Sequence, residues 1–167
     1  MAGLFTRILR LGKAEAHSAV DKFEDPIKMT EQGIRDLKKD LEENLWVCNS
    51  CGKHHRISCK QRFDIFFGKN RYEILETPVP AEDPLNWKDT KTYKERLKIA
   101  RNKTGQECAV MIVKTKINNI DITAGAFDFA FIGASVGAAE GEAIIYGIQN
   151  AIDNKTPFVL FTAGGGM

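Results

Sequence analysis

"IDITAGAFDFAFIGASVGAAEGEAIIYGIQNAIDNKTPFVLFT", residues 120–162, decides the fold. With the preceding CAVMIVKTKI of residues 108–117, its first part reads as two strands joined at Asn118-Asn119, asparagine tolerating the backbone that such turns require. A helix follows, for which Ser135 is the expected cap; Gly133, Gly137 and Gly141 fall four apart and predict one smooth face for close backbone approach. Asp128, Glu140, Glu142 and Asp153 interrupt this segment and exclude a membrane-helix reading of the glycine spacing. Pro157 then leads into FVLFT, an apolar run with the look of a buried strand, which ends in Ala163-Gly164-Gly165-Gly166. Strand, helix, strand and glycine loop predict a βαβ unit and an α/β fold.

Within this stretch Gly133-Ala134-Ser135-Val136-Gly137 matches the G-x-S-x-G nucleophile elbow of hydrolases. Chemistry argues against that role, because the required downstream histidine is missing: nothing after His55 is histidine. The glycine loop offers another chemistry. Consecutive glycines at a strand's end free backbone amides to point into a cavity, where they can stabilise an oxyanion without a side-chain nucleophile; a plain tight turn is the competing reading.

Outward from this region, 167 residues with 43% apolar and 28% charged content have the bulk for a globular core and exclude a disordered or fibrous chain. The 24 Lys and Arg against 22 Asp and Glu give a net charge of +2, so nucleic acid is not an expected partner. Four cysteines are too sparse for a secreted disulfide scaffold, and a reducing cytoplasm is the expected compartment. The sequence has neither a long uncharged apolar span nor the features of a signal peptide.

At the N-terminus, Leu4, Phe5, Ile8, Leu9 and Leu11 recur at helical spacing beside Arg7, Arg10 and Lys13, with no acid before Glu15. This basic amphipathic helix suits an anionic membrane surface through residues 1–25, and equally an ordinary helix docked on its own domain. Asp25-Pro26 is a good helix start, and Ile34, Leu37, Leu41 and Leu45 form the apolar stripe of a second helix suited to helix pairing. The opening through "KFEDPIKMTEQGIRDL" resembles the phage shock protein A family, bacterial proteins that coat stressed membranes. In that family the helix continues into a coiled-coil hairpin, whereas here WVCNSCGKHH follows.

Cys48-Asn49-Ser50-Cys51-Gly52-Lys53 has the form of a zinc knuckle, two thiolates meeting one metal across a tight turn. It supplies half a site, and the other candidate ligands are His54, His55, Cys59 and Cys108. Inert thiols and a redox pair are the alternatives, the last requiring a helix that opens directly after the motif. Residues 89–104, DTKTYKERLKIARNKT, predict a basic surface helix that starts at Asp89, packs Tyr93, Leu97 and Ala100 on one face, and stops at Gly105. The Pro-rich stretch Thr77-Pro78-Val79-Pro80 predicts an extended connector.

From Asp40 to Met167, "DLEENLWVCNSCGKHHRIS", "PLNWKDTKTYKERLKIARNKTG", "FDFAFIGASVGAAEGEAI" and "PFVLFTAGGGM" closely resemble the carboxyltransferase subunit beta of bacterial acetyl-CoA carboxylase. The resemblance implies a zinc ribbon followed by a crotonase-like domain. The expected organisation is an amphipathic helical segment over 1–45, half a zinc ribbon over 46–60, and the N-terminal part of a carboxyltransferase domain over 61–167. The implied reaction moves a carboxyl group from carboxybiotin to acetyl-CoA, giving malonyl-CoA. The implied partners are the carboxyltransferase alpha subunit, the biotin carboxyl carrier protein and biotin carboxylase. By motif match, Gly165 and Gly166 would hold the thioester enolate oxygen, and Phe131, Gly133, Ser135 and Gly137 would shape the coenzyme A side of the pocket. Cys48 and Cys51 match the second pair of the family's four zinc ligands. The first pair is absent, and the family's domain continues beyond the glycines, so the isolated chain is expected to be inactive.

Overall fold

The computed structural model describes residues 26–164; the expected amphipathic helix and membrane contact of residues 1–25, and the expected oxyanion donors Gly165 and Gly166, lie outside them. The chain divides into two compact units, one ending at His55 and the other starting at Arg56.

In the first unit, α1 spans Pro26–Glu43. Its flanks are stitched by the i,i+4 ion pairs Glu31–Arg35, Lys38–Glu42 and Lys39–Glu43. The helix ends in a Schellman arrangement: the Trp46 amide donates to the Leu41 carbonyl at 2.6 Å and the Leu45 amide to Glu42 at 3.3 Å. Leu45 and Trp46 therefore take left-handed backbone, at φ 52° and 64°. An antiparallel bridge between Val47 and His54 then closes a short turn over the two cysteines.

The second unit is α/β, as the βαβ reading predicted. β1 (Tyr72–Ile74), β2 (Val110–Ile117), β3 (Ile120–Phe127) and β4 (Phe158–Phe161) form a sheet in that spatial order. β2 and β3 make the expected hairpin, in register from Val110–Phe127 to Ile117–Ile120, with Asn118 and Asn119 at φ 48° and 65°. α4 (Ala138–Asn154) then carries the chain over the sheet so that β4 lies parallel to β3. Its apolar run reads like a buried strand, yet Val159 is exposed, because β4 is the sheet's edge.

Each face of the sheet carries a helix. α2 (Cys59–Phe67), which the sequence reading did not anticipate, opens on a capping box between Ser58 and Gln61 and lays Cys59, Phe63 and Phe67 on Val113, Ala124 and Ala126. Phe63 is wholly buried, and its ring stacks on Phe67 at 5.8 Å. On the opposite face α4 approaches closely at Gly147, where a β-carbon would stand 2.9 Å from Phe158 and 3.1 Å from Ile112. That corrects the expected glycine face. Of Gly133, Gly137 and Gly141 only Gly141 is inside the helix, and a β-carbon there would meet open space.

α3 (Tyr93–Thr104) buries Leu97 and Ala100 and stops at a left-handed Gly105, as expected, but its start is not Asp89. Thr92 and Glu95 form a reciprocal capping box that fixes the first turn, while Asp89 accepts the Lys91 amide and pairs with Arg96. No described helix is long and apolar enough to cross a membrane.

Candidate functional site

β3 and α4 are joined by residues 128–137, and this loop is held against its preferences. Ile132, Gly133 and Ala134 form one left-handed turn, at φ 46°, 68° and 57°. For the two residues with side chains this backbone costs about 1–2 kcal/mol each. A β-branched residue there is a true outlier, and such outliers cluster at functional loops.

The turn persists because its surroundings dictate it. Phe131 and Ala134 are 1% and 2% exposed, Phe131 packing with Leu97, Ala100 and Ala109. Asp128, itself buried, accepts the Ala130 amide at 2.9 Å and the Gln106 side-chain amide at 2.8 Å. Arg56 lies over the Phe129 ring at 3.7 Å from its centroid. At the far end buried Glu140 accepts the Gly137 amide and the Ala109 amide, both at 2.9 Å. Gly137 is thereby the N-cap, and Ser135 is not: the Glu140 carboxylate reaches the helix's first free amide before any hydroxyl does. The sequence reading did not single out Asp128 or Glu140 as braces; a capping pattern of glycine followed three residues later by glutamate was the available signal for Glu140.

With its apolar anchors turned inward, the loop leaves Gly133, Ser135, Val136 and Gly137 exposed. Past β4 the chain returns to this loop: a β-carbon on Gly164 would stand 3.1 Å from the Ala134 carbonyl oxygen. Two of the motifs singled out in the sequence, the 131–137 loop and the start of the glycine run, are thus neighbours. Beside the α4 N-terminus opens a largely apolar cavity of about 370 Å³, lined by Pro78, Tyr93, Leu97, Cys108, Ala139 and Glu140 among others. That size suits a small ligand. Desolvation, and then the charge of Glu140, push the Tyr93 phenol above its ordinary value.

Ser135 is not arranged as a nucleophile. Its own backbone is unstrained, at φ −64° and ψ 139°, and the second unit contains no histidine to serve as its base.

In the first unit the amides of Cys51 and Ser50 point at the Cys48 sulfur and hold its thiol below the ordinary value. The Cys48 amide donates to Lys53 at 2.9 Å and Gly52 closes the turn at φ 68°, the knuckle geometry expected of this motif. The helix that a redox motif would open directly after the pair does not form. Cys59 and Cys108 are buried, their thiols donating to the Ala126 and Val110 carbonyls, and burial pushes the Cys59 thiol up to about 12. Among the described residues no group of three or more His, Cys, Asp or Glu could hold a metal. Among the described residues, therefore, the donors present do not fit a complete zinc site.

Fold and loop together define an α/β domain with a braced left-handed loop set against a glycine-rich turn. Known proteins divide the chain between two likenesses. The PspA/IM30 family model matches residues 3–45. The chain is 69% identical over 131 residues, 78% of its own length and 42% of the relative's, to the acetyl-coenzyme A carboxylase carboxyl transferase subunit beta of Pelagibacter ubique. Proteins of the same name from Beijerinckia indica and Chelativorans sp. are 43% and 44% identical over 140 residues, 84% of this chain and 48% and 46% of theirs. The chain spans about half the length of the curated relatives it matches. Two structures of transcarboxylase 12S, one with hydrolysed methylmalonyl-coenzyme A and one with methylmalonyl-coenzyme A and methylmalonic acid, align with TM-scores of 0.46 and 0.47 at 14% and 15% identity. Each alignment covers 66% of this chain and 19% of the other. Both resemblances seen in the motifs thus hold, in the order in which the motifs appear.

Proposed function

We propose that residues 61–167 are the N-terminal part of a crotonase-like carboxyltransferase domain that binds acetyl-CoA for carboxyl transfer from carboxybiotin. The observation that carries this is the 69% identity over 131 residues to a carboxyl transferase beta subunit. Chemistry at the loop supports it. A thioester needs no side-chain nucleophile to be carboxylated at its α-carbon. It needs its carbonyl oxygen held by preorganised donors while that carbon loses a proton to become an enolate. The enolate carbon then bonds to the carboxyl carbon of carboxybiotin as the biotin nitrogen leaves and takes up a proton, giving malonyl-CoA.

In this reading Gly165 and Gly166 donate their amides to the enolate oxygen, and Gly133, Ser135 and Gly137 shape the coenzyme A side of the pocket; Phe131, expected beside them, is buried among Leu97, Ala100 and Ala109 and anchors the loop from beneath instead of facing a ligand. Small residues there let an extended substrate lie against main chain, and the braces at Asp128 and Glu140 keep the surface preformed. The partners are the carboxyltransferase alpha subunit, the carrier protein bearing biotin, and biotin carboxylase, and the compartment is the cytoplasm.

Grafting the 131 matched residues into the Pelagibacter ubique relative, in place of its own, tests the proposal. The chimera, mixed with its alpha subunit, is expected to retain malonyl-CoA-dependent carboxylation of biotin within about tenfold. A folded chimera that binds the alpha subunit but neither turns over nor binds malonyl-CoA overturns the reading.

A second activity is favoured by the PspA/IM30 match over residues 3–45 and the acid-free basic start. Residues 1–25 would tether the chain to anionic lipid. Salt-sensitive co-sedimentation with vesicles rich in anionic lipid, lost on deleting those residues, is the expected result; equal binding to neutral vesicles refutes it.

A further inference from the structure

The cavity beside the α4 N-terminus has no part in the reaction proposed above. It lies under residues 76–87, the strap that bridges β1 and α3. The strap is anchored on either side: the Leu75 amide donates to the Ile112 carbonyl at 2.9 Å, and Arg101 pairs with both Glu82 and Glu107. Between these anchors residues 76–81 make no hydrogen bond, and Pro78 and Pro80 have no amide with which to make one. With no hydrogen bond to draw it down, the strap stands off α3 and α4, leaving about 370 Å³ open beneath it.

The walls define what can enter. Pro78, Pro80, Trp87, Leu97 and Ala139 offer flat or apolar surface. The charged residues around the cavity are Glu82, Asp83, Glu107 and Glu140 against Arg101 alone, four negative to one positive, so an anionic ligand is repelled. Glu140 has no oxygen to spare, both being taken by the Ala109 and Gly137 amides. One polar group is left over. The half-buried Tyr93 side chain borders the cavity, and its hydroxyl lies 3.8 Å from where a β-carbon on Gly137 would stand. That hydroxyl has no hydrogen-bond partner among the described residues. Desolvation, and then the charge of Glu140, keep the phenol protonated, so it is available as a donor.

We infer that this cavity binds an uncharged planar aromatic molecule that offers one hydrogen-bond acceptor to the Tyr93 hydroxyl. Such an occupant covers the apolar walls, meets the free donor and brings no negative charge towards the carboxylates. The phosphates of coenzyme A would meet the same negative rim, so the occupant is a second ligand rather than a part of the proposed substrate.

Three probes of nearly equal shape test this on the full chain by ligand-observed NMR: quinoline, neutral with one ring-nitrogen acceptor; naphthalene, neutral with none; and 2-naphthoate, an anion. Quinoline is expected to bind at one site per chain. Naphthalene should bind about fivefold more weakly, the loss of one net hydrogen bond. 2-Naphthoate should bind about tenfold more weakly than quinoline, with the gap narrowing in high salt. Tyr93→Phe should bring quinoline down to the level of naphthalene while leaving naphthalene unweakened. Ala138→Trp, at an exposed position on the cavity wall, should block both. In each variant continued protection of the buried Cys59 thiol from alkylation reports that the fold is intact. Failure of the folded chain to bind quinoline at the limit of its solubility would overturn the inference. So would equal binding of 2-naphthoate, a quinoline preference that survives Tyr93→Phe, or quinoline binding that survives Ala138→Trp.

Discussion

Glu140 holds Ala109 from 31 residues away: its carboxylate accepts the Ala109 amide with one oxygen while the other accepts the Gly137 amide, each at 2.9 Å. A single buried side chain therefore fixes both the entrance to β2 and the exit of the left-handed loop. Glu140→Gln keeps the shape but turns one acceptor into a donor, leaving a buried amide unmet at a cost of about 1–3 kcal/mol. Thermal unfolding of the variant should show a midpoint lower by several degrees, with the far-UV spectrum unchanged at 20 °C. An unchanged midpoint would mean that Glu140 does not brace the loop.

Two glycines of α4 should respond in opposite directions to the same substitution. Gly147→Ala drives a methyl into Phe158 and Ile112 and should cost about 1–3 kcal/mol. Gly141→Ala meets nothing within 4 Å and should stabilise by roughly 0.5–1 kcal/mol through helix propensity alone. Denaturant midpoints of the two variants check both signs.

Gly133 sits at φ 68° with no atom near an added β-carbon, so Gly133→Ala strains main chain without crowding. In the chimera described above, the expected outcome is a several-fold rise in KM for malonyl-CoA with a smaller change in kcat, because the loop is assigned to binding rather than to the reacting atoms. Ser135→Ala should leave no trace on any acyl-enzyme burst, there being none to lose.

Alkali should weaken the fold in a defined window. Burial pushes the Cys59 thiol up to about 12, and burial together with Asp64 does the same to the Tyr72 phenol. The unfolded chain releases these protons at lower pH, near about 8.5 for a thiol and 10 for a phenol. Their contribution is therefore complete below those values and is lost as pH rises towards about 12. Unfolding free energy measured between pH 8 and 11 should fall with pH, and less steeply in Tyr72→Phe; a flat profile would contradict the burial of both groups.

Thiol labelling separates the two kinds of cysteine. Cys48, its thiolate stabilised by the amides of Cys51 and Ser50, should react with a maleimide well before Cys59, which is 0% exposed. Mass mapping of the first modified peptide decides this.

The sequence carried the hairpin, the crossover helix and the parallel return because each has a local signature: Asn118-Asn119, helical apolar spacing, and a Pro-led apolar run. The capping boxes at Thr92–Glu95 and Ser58–Gln61 were equally present as residue types, but they compete with neighbours such as Asp89 that look as suitable in isolation. α2 was hidden by its shortness and by a buried face built around a cysteine. What no local pattern specifies is which glycine touches which element. Gly147 matters because Phe158, eleven residues on, packs across it. The strain at Ile132 was equally illegible, since an isoleucine at φ 46° contradicts every local preference and exists only because Phe131 and Ala134 are anchored beside it.

The Asn118–Asn119 turn also orders events in time. It allows eight residue pairs of β2 and β3 to zip from a loop of two, closing on the microsecond scale typical of hairpins. β4 meets β3 only after α4 has spanned the interval, at a larger loss of chain entropy, with Thr123 paired to Phe158 across 35 residues. The hairpin is thus the template present early and the crossover the step that must wait. Destabilising the asparagine turn should slow refolding itself, whereas weakening the β4 contact should mainly hasten unfolding.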